Sequence, residues 1–106
     1  MTDFVLVLTT VPDERTGSEL GRVLVEERLA ACVTVSSVVW VIYRWEGKLC
    51  DEVEHILFIK TRASLYDPLE ARIKALHPYK VPEIVALALE RGSRDYLDWM
   101  GVETKG

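Results

Sequence analysis

Apolar and polar positions along the chain change their period repeatedly, and each change marks an element. Phe4–Thr9 is an almost unbroken apolar run, the pattern of a strand covered on both faces. Thr10–Asp13 stops it, with Asp13 placed as a helix N-cap behind Pro12. Leu20, Val23, Leu24 and Ala31 then recur at helical spacing, with Glu26, Glu27 and Arg28 on another side. This predicts a helix over residues 14–30. From Cys32 to Trp45 the chain is rich in β-branched and aromatic residues. The tetrapeptide from Trp45 to Lys48, with Gly47 able to take a positive φ, signals a tight hairpin. Leu49–Thr61 runs back as the partner strand, apolar on both faces over Ile56–Ile59.

Ser64 to Asp67 reads as a capping box, with Pro68 in the first turn of the helix it opens. Leu65, Leu69, Ile73 and Leu76 continue that helix until Pro78 ends it at His77. Ile84–Leu89 is a fourth strand, and Ser93 caps a short helix through about Met100. The order β-α-β-β-α-β plus a terminal helix is the split-βαβ pattern. It predicts an α+β, ferredoxin-like sandwich in a single domain over residues 1–106.

The hairpin does not fit inside such a domain. Strands of ~13 residues at about 3.3 Å each reach roughly 43 Å. A chain of this size is only about 33 Å across when compact. In a split-βαβ sheet the second and fourth strands are edges, yet here they are as apolar as the centre, with Trp40 in mid-strand. Apolar edges are aggregation templates unless paired or covered. The expectation is a homo-oligomer with Trp40 buried between subunits; the alternative is a bent hairpin folded onto its own helices.

Composition narrows the function. Thirteen basic against seventeen acidic residues give a net charge of −4, and no basic run interrupts it. Nucleic acid, which selects for Lys and Arg patches, is therefore not an expected partner. No apolar stretch reaches the ~20 residues that span a bilayer, so no membrane partner is expected. The first residues carry no basic leader, which points to the cytoplasm and to reduced Cys32 and Cys50. Asn and Gln are both absent; scarce amides are a trend in proteins of hot environments, and codon bias produces the same absence. No Gly-x-Ser-x-Gly, phosphate-binding or dinucleotide fingerprint occurs, and neither His55 nor His77 stands in a nucleophile–base arrangement. The expectation is a protein that is not an enzyme.

Several segments together resemble one family. Thr10–Asp13 (TVPD), Leu29–Val33 (LAACV), Tyr43–Gly47 (YRWEG), Ile59–Thr61 (IKT), His77–Tyr79 (HPY), Pro82–Glu83 and Tyr96–Trp99 (YLDW) look like CutA, the divalent-cation tolerance family, in its order and spacing. The resemblance implies a ferredoxin-like fold, a homotrimer with intersubunit sheets like that of PII signalling proteins, and a role in the response to metal ions with copper binding. A PII-like small-ligand sensor and a trimeric scaffold for a protein partner are the alternatives. The chain departs from the family pattern at Thr34, Ser37, Val41 and Ala88. In some bacterial members the copper ligands are a Cys at the position of Thr9 and a His at that of Leu76, beside the family's His. Only His77 remains here, one donor where copper wants three or four. It is the single candidate metal ligand.

Tyr43, Trp45, Lys60, Tyr79 and Glu83 fall in the best-matched segments, and their types suit an intersubunit pocket for a small anion or metabolite. Aromatic residues that only bury interface area are the other reading. Cys32 is expected to be a buried, inert thiol. Cys50, Glu52 and Glu54 share one strand face by period two and read as a solvated strand end, a soft-plus-hard ligand row being the alternative, with His55 on the opposite face.

Overall fold

Each predicted element forms, and its limits follow from local chemistry. The computed structural model describes residues 2–106. It contains β1 (Phe4–Val11), α1 (Glu14–Glu26), β2 (Cys32–Trp45), β3 (Lys48–Arg62), α2 (Tyr66–Leu76), β4 (Val85–Ala88) and α3 (Arg94–Glu103). Asp13 caps α1 by accepting from the Thr16 amide at 2.7 Å, and Ser93 caps α3 through the Tyr96 amide.

Helix α1 stops four residues short of the expected end because Arg28 takes a left-handed conformation, φ 60°. The amides of Leu29 and Ala30 then both turn back to the Leu24 carbonyl. Arg28 is held there from the far end of the chain. Its guanidinium donates to the Val102 carbonyl, and its own carbonyl accepts from the Lys105 amide. Ser64 is not a cap. It lies inside a 3-10 turn, Ala63–Leu65, that leads into α2, and no side chain caps that helix.

The sheet is antiparallel in the order β2-β3-β1-β4. Helices α1 and α2 cover one face, where Val7, Val11, Leu57 and Ile59 meet Leu20, Leu24, Leu69 and Ile73 in one core. Helix α1 lies close to β2: a Cβ at Gly21 would come within 3.1 Å of Val33. Helix α3 lies against the other face, where Gly101 approaches Phe4 and Arg62.

The strand lengths decide the shape. β1 reaches only from Arg62 to His55 of β3, so residues 48–54 of β3 have β2 as their sole neighbouring strand. This arm stretches the molecule to 44 Å against 25 and 24 Å across. A bulge at Ser36 and Ser37 shifts the phase of β2 between Val35 and Val38. It is pinned by the Ile56 amide donating to Ser36 Oγ at 2.7 Å and by His55 Nδ1 against the Ser36 carbonyl. Glu46 and Gly47, both at positive φ, close the tip, as a two-residue hairpin turn of matching twist requires. One face of the arm carries Val38, Trp40, Ile42, Leu49 and Val53, all exposed, with Trp40 72% accessible. The hairpin is straight and projecting, so its apolar stripe is not folded onto its own helices.

Candidate functional site

The other face of the arm forms one wall of a cleft. Cross-strand pairing puts Tyr43 opposite Cys50, Val41 opposite Glu52 and Val39 opposite Glu54. After α2, Pro78 turns the chain so that Tyr79–Glu83 folds back against this wall. The cleft, open to solvent on one side, holds ≈ 570 Å³ and is lined by Tyr43, Trp45, Glu52, Glu54, Tyr79 and Glu83, with Lys80 at its side.

His77 fixes the second wall. It is buried, and its Nε2 donates to the Thr10 carbonyl at 2.7 Å. Its Nδ1 accepts from the Tyr79 amide at 3.1 Å, which sets the proton on Nε2. The Tyr79 ring lies 4.7 Å from the imidazole, and its hydroxyl donates to Glu54 across the cleft. Burial first, and then the Glu54 carboxylate, hold the Tyr79 phenol well above its ordinary value. Burial and the neighbouring Glu52 push Tyr43 up to about 12. Both hydroxyls are held protonated, and that of Tyr79 donates to a carboxylate.

Four of the residues picked from sequence, Tyr43, Trp45, Tyr79 and Glu83, come together in this cleft. Lys60 does not. It pairs with Leu6 and Cys32 at the opposite end of β3, where its ammonium meets the Tyr96 hydroxyl at 3.0 Å. Eight residues of strand separate it from Glu52, about 26 Å. Its removal reverses the sign of the cleft, which is acidic. Glu54, expected in solvent, is only 5% exposed. The signal for it was the shared face with Tyr43; what the sequence could not show was the segment that folds over it. Cys32 is half-buried rather than buried, and both thiols are free.

The donors for copper do not converge. Both nitrogens of His77 are engaged by the backbone, and Leu76 is exposed. Thr9 is fully buried with its hydroxyl unpartnered among the described residues. Among the described residues no group of three His, Cys, Asp or Glu side chains is placed to hold a metal ion, and no helix is long and apolar enough to cross a membrane.

Fold and cleft together define a class: small α+β proteins on a ferredoxin-like sheet whose central hairpin outgrows its own domain. Residues 5–103 match the family described as CutA1 divalent ion tolerance protein, and the chain belongs to that family. It is 48% identical to the divalent-cation tolerance protein CutA of Thermus thermophilus over 93% of this chain and 96% of that one. With the chloroplastic protein CutA of Arabidopsis thaliana it shares 42% over 95% of its own length but 56% of that protein. The crystal structure of CutA from Xylella fastidiosa superposes with a TM-score of 0.95 at 40% identity, covering 98% of this chain and 100% of that one.

Proposed function

We propose that the chain acts in divalent-cation tolerance as a cytoplasmic homotrimer, a binding assembly rather than an enzyme. The observation that carries the assembly is the projecting arm. Val38, Trp40, Ile42, Leu49 and Val53 form one exposed stripe on a face of the ribbon that no other element of the subunit covers. Exposed patches of this kind mark association surfaces, and a closed ring of subunits covers each stripe with the next. The tolerance role is supported by family membership and by the names its relatives carry. Free Cys32 and Cys50 suit a reducing compartment. The cleft at Tyr43, Trp45, Tyr79 and Glu83 lies on the opposite face of the same arm, and in the assembly it serves as the ligand-bearing site.

In this reading copper binds weakly, and His77 serves as a brace between Thr10 and Tyr79 more than as a ligand. Light scattering on a size-exclusion column tests the assembly: a mass three times the 12.1 kDa of the chain is expected at micromolar concentration. A stable monomer would overturn it.

A further inference from the structure

The cleft carries an uncompensated charge. Glu52, Glu54 and Glu83 line it against Lys80 alone. Among the described residues none of the three carboxylates forms an ion pair; the pairs present are Arg15–Glu19, Arg72–Glu27 and Lys74–Glu70, all on helices or their ends. Glu54 is the sharpest case. It is 5% exposed, and its one hydrogen bond comes from the Tyr79 hydroxyl. A carboxylate withdrawn from water without a cation nearby is costly, and a bound cation offsets that cost.

The aromatic residues say which kind of cation. Tyr43, Trp45 and Tyr79 all line the same space. Rings attract cations through their faces, and a phenol donating its proton to a carboxylate, as Tyr79 does to Glu54, gains electron density in the ring. A hard divalent ion takes six or more oxygen ligands and holds its water, and gains nothing from three rings. An alkylammonium ion is less tightly hydrated and uses rings and carboxylates at once. Within one subunit three carboxylates less one lysine leave a charge of two to match, and the volume lies in the range of small-molecule sites.

We propose that this cleft binds an aliphatic diamine dication, one ammonium at Glu54 and Glu52 between the Tyr43 and Tyr79 rings, the other toward Trp45 and Glu83. The proposal rests on reading the cleft as the ligand-bearing part of the assembly, and reverses the expectation of an anion.

Calorimetric titration of the full chain with 1,4-diaminobutane tests it, with butylamine, sodium and magnesium at matched ionic strength beside it and light scattering on the same samples. Saturable binding near one per subunit is expected, weaker for butylamine and unaffected by equal concentrations of magnesium. Glu54→Gln and Tyr43→Leu should each weaken it about tenfold or more, and Lys80→Ala should tighten it. Circular dichroism and mass confirm that each variant is folded. Absence of saturable binding to the wild-type chain, in whatever state of assembly, would overturn the proposal. So would full competition by magnesium, or variants that bind as the wild type does. Saturable binding to a monomer would support the ligand while refuting the assembly.

Discussion

Replacing Trp40 by Ala removes the most exposed apolar side chain of the arm. Tryptophan contributes roughly 150–250 Å² when buried, and 72% of this one is accessible in the single subunit. Covering it would therefore remove about 110–180 Å² from water, at ~25 cal/mol per Å² about 3–4.5 kcal/mol per subunit. An alanine recovers little of that, so about 3 kcal/mol is lost at each interface, and a closed trimer loses it at all three. At 1.4 kcal/mol per power of ten, a loss of ~9 kcal/mol lowers the association constant by roughly six orders of magnitude. Micromolar Trp40→Ala should run as smaller species or precipitate in size-exclusion chromatography with light scattering. Trp40→Phe should retain most of the assembly. Trp99→Ala, on α3 beside Tyr96, serves as the comparison away from the arm. A Trp40→Ala protein of unchanged mass and melting temperature would show that the arm is not the assembly surface.

Three further outcomes are expected. His77→Ala should leave the weak copper affinity unchanged in calorimetry, because both ring nitrogens already serve the backbone; submicromolar binding abolished by the substitution would contradict this. Thr9→Val should raise stability in chemical denaturation by about 1 kcal/mol or more, since it removes a buried hydroxyl with no partner; a destabilised variant would mean the hydroxyl is satisfied. Because Tyr43 and Tyr79 bind their protons more tightly when folded, stability should be intact below pH ~10 and fall as the pH rises toward about 12. Denaturation at stepped alkaline pH checks this, and a Tyr43→Phe, Tyr79→Phe double variant should show a flatter decline.

The long periodic segments were legible because burial alone sets their spacing. Leu20 and Leu24, Leu69 and Ile73, and the alternation of Leu57 and Ile59 all sit where their periods put them. Misplaced limits trace to contacts distant in sequence. Helix α1 ends early because Arg28 is gripped by Val102 and Lys105, and no local pattern announces that. Along β2 the apolar alternation changes phase at Ser36 and Ser37, so period two counted from Val33 and Val35 puts Trp40 and Tyr43 each on the wrong face. The cleft was half-legible. Tyr43, Trp45, Tyr79 and Glu83 are close, but Lys60 and Glu54 exchanged roles because position along β3, more than residue type, decides which end of the sheet a side chain serves.

The arm has one more consequence. Residues 48–54 of β3 pair with a single strand, and an isolated two-stranded ribbon is marginal in water. Tyr43, Trp45 and Glu52 ride on that ribbon. A subunit alone in dilute solution is then expected to have a frayed tip and a loosened cleft. Occupancy of the cleft would become a measure of how many subunits are present, rising steeply with protein concentration as well as with ligand. Limited proteolysis at Trp45–Lys48 on dilution would follow the same curve, coupling the chain's turnover to its own abundance.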